Sequence, residues 1–97
     1  MSSVSKIVLD VLHELGNEEG KDDLLNADDS TVLFGRNFDS MGIVMLTVEI
    51  EEQIFDKFGA QIVLADERAM SQKTSPFRNV KTLVKYIELL VEEEKNG

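Results

Sequence analysis

Phe38-Asp39-Ser40-Met41-Gly42 is the place in this chain where residue type and spacing suggest covalent chemistry. Asp39 and Ser40 are both side chains favoured at the position before a helix. A long amphipathic run, from Met41 to Phe58, follows them. A serine at such a junction presents its hydroxyl outward, beside backbone N–H groups that have no carbonyl partner. The start of a helix also favours a nearby negative charge. Ser40 is therefore suited to carry a phosphate ester. It is poorly served as a hydrolytic nucleophile, which needs an activating base. The only histidine, His13, lies near the other end of the chain.

Other candidate groups give bland readings. The chain has no cysteine, which excludes disulfides, thiolate zinc sites and cysteine nucleophiles. Asp22, Asp23, Asp28 and Asp29 lack the alternating spacing, central glycine and terminal glutamate of a calcium loop, so they read as solvated loop acids. His13 falls on the polar face of a predicted helix and reads as a surface residue. Met41, Met45 and Met70 suit irregular core gaps. Met41 and Met45, one turn apart after the serine, equally suit contacts with a partner. No catalytic residue and no metal site is expected.

The totals set bounds. The 97 residues fit one small domain spanning 1–97. Hydrophobic residues make up 42% and aromatics only 6%, without tryptophan, so the core must be aliphatic with a few phenylalanines. The net charge of −9, from 19 acidic and 10 basic residues, repels nucleic acid and anionic lipid and attracts basic partners. The same surplus also keeps a small protein soluble. No run approaches the ~18 apolar residues of a membrane span. Met1 to Lys6 lacks the apolar segment of a signal peptide. A cytoplasmic monomer without membrane insertion is expected.

The elements that must position Ser40 follow from periodicity. Val4, Ile7, Val8, Val11, Leu12 and Leu15 recur at helical spacing and predict a first helix over about Ser3–Leu15, with Gly16 ending it. Gly16 to Asp39 is a long polar connection, with a helical turn predicted near Lys21–Leu25. Its Leu24, Leu25, Val32, Leu33, Phe34 and Phe38 are expected to be buried. The second helix starts at Asp39 or Ser40 and ends at Gly59. Met41, Val44, Met45, Val48, Ile54, Phe55 and Phe58 give it one apolar side, extended by Leu46 and Ile50, with Glu49, Glu51, Glu52 and Asp56 facing water. That is more apolar surface than one core contact requires, which suggests a partner face. Gln61–Leu64 reads as extended, and Asp66–Met70 as a short helix. Ser71–Pro76 is a polar break. Asn79 caps a last helix with the stripe Val80, Leu83, Val84, Ile87, Leu90 and Val91. Glu92–Glu94 is a solvated helix end. The expected fold is all-α: a small four-helix bundle with a long first loop and a short third helix.

This order, with Asp-Ser opening the second helix, resembles the acyl carrier protein superfamily over nearly the whole chain. Phe38 to Leu46 looks like that family's Asp-Ser-Leu signature, with Met41 in the leucine's place. Asn79 to Ile87 is similar to its last helix, which typically ends in Tyr-Ile. The resemblance implies a covalent 4′-phosphopantetheine on Ser40, whose thiol holds acyl or aminoacyl groups as thioesters. It implies that Asp39 caps the helix and helps a phosphopantetheinyl transferase dock. Met41, Val44 and Met45 would contact enzymes that receive the arm, with Glu49, Glu51 and Glu52 as acidic partner contacts. Partners would be the transferase, a loading ligase, and downstream enzymes of lipid, polyketide or peptide-type biosynthesis with basic surfaces. Carriers of fatty acid synthesis usually have acidic residues where this chain has Gly42 and Met45. Asp-Ser-Met-Gly looks closer to D-alanyl carrier proteins of cell-envelope modification and to stand-alone peptide and polyketide carriers. The Ala65–Arg78 segment is longer than in a typical carrier. A helical interaction module without a prosthetic group is the alternative.

Overall fold

A computed structural model describes residues 3–64 and 76–96, with the backbone alone at Ser40, Lys95 and Asn96. Four helices account for most of these: α1 (Ser3–Glu19), α2 (Asp22–Leu25), α3 (Ser40–Phe58) and α4 (Val80–Asn96). The described residues form no β-strand, only two isolated bridges, Val32 with Asn79 and Phe34 with Phe38. The protein is thus small and mostly helical, as expected. The helix predicted over Asp66–Met70 and most of the Ser71–Pro76 break lie outside the described residues. None of the described helices is long and apolar enough to cross a membrane.

The apolar stripe of α1 makes it the centre of the fold. Val4, Ile7, Val8, Val11 and Leu12 are buried, and α1 packs against each of the other three helices. It runs one turn beyond the predicted end, because Gly16 does not terminate it. Gly16 is buried where α1 meets α2: a Cβ there would stand 2.8 Å from Leu24 Cβ and 2.9 Å from Leu25 N. The glycine serves close approach, and Gly20, at φ +67°, follows the helix end instead. The predicted turn near Lys21–Leu25 is α2.

The long connection is pinned to the start of α4. Leu33 N–H donates to Arg78 O (3.0 Å), Phe34 N–H to Phe77 O (3.1 Å), Val80 N–H to Thr31 O (3.1 Å) and Lys81 N–H to Asp29 O (3.0 Å). These bonds satisfy backbone that no helix or sheet serves. Leu24, Leu33 and Phe38 are buried as expected, whereas Leu25, Val32 and Phe34 are exposed. The backbone bonds, not the side chains, hold Val32 and Phe34 in place, so burial is not required of them.

α4 begins as predicted. Asn79 Oδ1 accepts from Thr82 N–H at 2.9 Å, and Thr82 Oγ1 accepts from Asn79 N–H at 3.2 Å, a reciprocal cap. Val80, Leu83, Val84, Ile87 and Val91 are buried, with Leu90 packed against them.

Of the apolar side that the sequence gives α3, only Ile54 and, in part, Phe58 reach the core; the buried line runs through the extension of that side. Ile43, Leu46, Ile50 and Ile54 are fully buried, together with Thr47, whose hydroxyl donates to Val44 O at 2.7 Å. Met41, Val44, Met45, Val48 and Phe55 are exposed. Each fully buried aliphatic side chain contributes about 1.5–3 kcal/mol, so the Ile43–Ile54 line anchors the helix that Ser40 begins.

Candidate functional site

Ser40 is the first residue of the 19-residue helix α3, and Asp39 is its N-cap. Asp39 is extended, with φ −88° and ψ −174°. Its Oδ1 accepts a hydrogen bond from Gly42 N–H at 2.8 Å. One of the unpaired N–H groups of the helix start is thereby satisfied, which is worth about 1 kcal/mol. The orientation of the Ser40 hydroxyl lies outside the described residues.

Two neighbours fix this junction. Phe38 is buried and anchors the chain just before the cap. A Cβ on Gly42 would lie 3.1 Å from Phe38 Cδ1 and 3.3 Å from Asp39 Oδ1. Gly42, which takes the place of an acidic residue in the resemblance, thus leaves room for both the phenylalanine and the capping carboxylate.

Beside the junction lies an open groove of about 470 Å³. Phe38, Asp39, Gly42 and Met45 line it, and Lys21 and Arg36 contribute its cations. Lys21 Nζ donates to Asn37 O at 3.3 Å, sits 5.9 Å from the centre of the Phe38 ring, and pairs with Glu19 at 3.5 Å. Arg36 Nε lies 3.9 Å from Asp23 Oδ2. Both ion pairs are exposed and contribute little to stability. Sequence reasoning missed Lys21 and Arg36. They are far apart in the chain, and only the fold of the loop brings them to one groove. His13 is partly covered on α1 and is not among the groove's lining residues.

The expected partner residues fall into two groups. Met41 is 77% exposed and Met45 70%, and Val44 and Val48 are also exposed. This apolar strip runs directly from Ser40 along α3. Neither methionine fills the core. Glu49 and Glu52 are exposed alongside it. Glu51 differs: it is half-buried, and its Oε2 accepts from Leu64 N–H at 3.2 Å. Its carboxylate holds the segment after α3 and is not a free surface charge.

The loop acids have local duties. Asp28 Oδ1 accepts from Ser30 Oγ at 2.7 Å and from Ser30 N–H at 2.9 Å. Asp28 N–H donates to Thr31 Oγ1 at 2.8 Å. The Ser30 hydroxyl bond, then the Ser30 N–H bond, holds the Asp28 carboxyl below its ordinary pKa. These are turn bonds. Asp22 and Asp23 open α2, where negative charge is favoured.

Comparison of the chain with protein-family models, with curated proteins and with solved structures gives no match.

Proposed function

We propose that this protein is a carrier that holds an acyl or aminoacyl group as a thioester on a 4′-phosphopantetheine arm attached to Ser40. The observation that carries the proposal is the junction itself. A serine opens a long helix, its neighbour Asp39 caps that helix, and Met41 and Met45 beyond it are left in water. Exposed methionine next to a modifiable hydroxyl suits brief contact with several enzymes, because its flexible thioether adapts to different surfaces.

Phosphopantetheine supplies a long arm ending in a thiol. The chain's own residues suit the group in two respects. One oxygen of the Asp39 carboxylate, Oδ1, is turned back to Gly42 N–H and serves the helix start. Lys21 and Arg36, each also paired with an acid (Glu19 and Asp23), are the cations that line the adjoining groove, where a phosphodiester's charge would otherwise meet a strongly acidic chain. Loading would join the Ser40 oxygen to the β-phosphorus of coenzyme A. The P–O bond to adenosine 3′,5′-bisphosphate would break, and the serine proton would pass to a base of the transferase.

Enzymes of lipid, polyketide or peptide-type biosynthesis are the partners that follow. The acidic chain steers encounter with their basic surfaces, and the Met41–Val48 strip gives a short-lived apolar contact. D-alanyl transfer to the cell envelope is the alternative use of the same site. The test is loading with a fluorescent coenzyme A analogue and a broad-specificity phosphopantetheinyl transferase. The native chain is expected to become labelled and Ser40→Ala is not. Absence of label on both, beside a labelled carrier in the same reaction, would replace the proposal with a helical interaction module.

A further inference from the structure

Sulfur is unevenly placed in this protein. The chain has no cysteine and four methionines, of which Met1 and Met70 lie outside the described residues. Among the described residues the buried core holds no sulfur and is built from Val, Ile, Leu, Ala and Phe. Met41 and Met45 are instead the most exposed large apolar side chains described, at 77% and 70%. They stand one turn apart on α3, and Met41 directly follows Ser40. Met45 also lines the groove that holds Lys21 and Arg36. Every described thioether is therefore open to solvent at the Ser40 junction. No cysteine thiolate competes with them for an oxidant.

We propose that Met41 and Met45 form a reversible oxidation site, at which hydrogen peroxide or another hydroperoxide switches off docking at the Ser40 junction. The thioether sulfur attacks one peroxide oxygen, and the O–O bond breaks. Sulfur is oxidised to the sulfoxide, the peroxide is reduced, and its second oxygen leaves as water with both protons. Two properties of the site make this a switch and not damage. Core packing on α3 belongs to the fully buried Ile43, Leu46, Ile50 and Ile54, so the fold survives the change. Both sulfoxides also fall on the strip that offers adaptable apolar contact, and each turns a soft apolar atom into a polar group. A partner's apolar surface would then have to desolvate two S=O groups without satisfying them. The Met45 oxygen further adds an acceptor to the groove, in competition with a phosphodiester for Lys21 and Arg36. A methionine sulfoxide reductase, drawing electrons from a dithiol, returns both thioethers. The effect on loading rests on the carrier proposal; the place of oxidation does not.

The test treats the full, unloaded chain with hydrogen peroxide, which catalase then removes. Peptide mapping, circular dichroism and the rate of loading with the fluorescent coenzyme A analogue follow. One added oxygen is expected on each of Met41 and Met45, with the helical signal and urea midpoint unchanged and loading slowed severalfold. Methionine sulfoxide reductases for both sulfoxide epimers, with dithiothreitol, should restore the rate. Met41→Leu with Met45→Leu should load at the same rate before and after peroxide, whatever that rate is, although Met1 and Met70 remain oxidisable in it. Equal loading of the oxidised and untreated native chain, or unchanged peroxide sensitivity in the double variant, would overturn the proposal. Loss of helical signal on oxidation would overturn it too, by making the modification damage. Each of those results leaves the carrier proposal standing. An untreated chain that fails to load, beside a loaded control carrier, would strike the carrier proposal and this switch with it.

Discussion

Replacing Gly16 with alanine sets two physical effects against each other, and the structure decides the sign. Alanine is the better helix former by about 1 kcal/mol, so propensity alone predicts a stabilised α1. The added Cβ, however, would stand 2.8 Å from Leu24 Cβ, 2.9 Å from Leu25 N and 3.0 Å from Lys21 O. Comfortable carbon contacts are about 3.5–4.0 Å, so α2 must move by roughly 0.7 Å. Two of the three obstructing atoms are backbone, and the third is the first atom of a fully buried leucine. No side-chain rotation relieves them. Overpacking of this kind costs about 1–3 kcal/mol, and this site belongs at the upper end. The net expectation is a loss of about 2 kcal/mol, which for a domain of this size lowers Tm by roughly 8–16 °C. Urea unfolding followed by circular dichroism at 222 nm would read it as a lower midpoint at unchanged slope. The consequence reaches the site, because Lys21, the residue that precedes α2, lines the groove beside Asp39. A Gly16→Ala protein as stable as the native one, with its α1–α2 contacts intact by nuclear Overhauser effects, would refute the close-approach account of this glycine.

Four further outcomes are expected. Asp39→Ala should cost about 1 kcal/mol by removing the cap on Gly42 N–H, with Asp39→Asn closer to native in thermal unfolding. Met45→Ala should stay within about 0.5 kcal/mol of native stability because the side chain is exposed, whereas Ile50→Ala should cost about 2–5 kcal/mol from the fully buried face; equal effects would mean that the face assignment of α3 is wrong. Glu51→Lys should cost about 1 kcal/mol by freeing Leu64 N–H, so any loss of partner turnover in it must be compared with Glu52→Lys, which leaves that bond intact. The lowered pKa of Asp28 stabilises the fold above the ordinary carboxylate range, and this contribution is lost as pH falls through the lowered folded-state pKa; Asp28→Asn should therefore flatten the acid limb of a stability–pH curve, and an unchanged limb would remove the carboxylate from the account.

What could be read in the sequence was whatever local physics decides. The stripe Val4–Leu12 and the stripe Val80–Val91 each leave one face for the core, and both are buried as their spacing requires. Asp39, Asn79 and Gly59 act at helix ends through bonds to their own neighbours, so residue type was enough to place them. α3 was harder. It is apolar around more than half its circumference, and periodicity cannot choose between the Ile43–Ile54 line and the Met41–Phe55 line. Packing against α1 makes that choice. Gly16 was misread because a helix-ending glycine and a contact glycine look alike until the partner element is known. Lys21 and Arg36 escaped notice for a similar reason: their meeting depends on how the loop folds back on Phe38.

The most direct measurement of the central claim is the intact mass of the purified protein before and after incubation with coenzyme A and a broad-specificity phosphopantetheinyl transferase, followed by peptide mapping. A gain of one phosphopantetheine, mapped to the peptide containing Ser40 and absent in Ser40→Ala, is the predicted result. No gain, or a gain that persists in Ser40→Ala, while a control carrier in the same tube is fully modified, would contradict it.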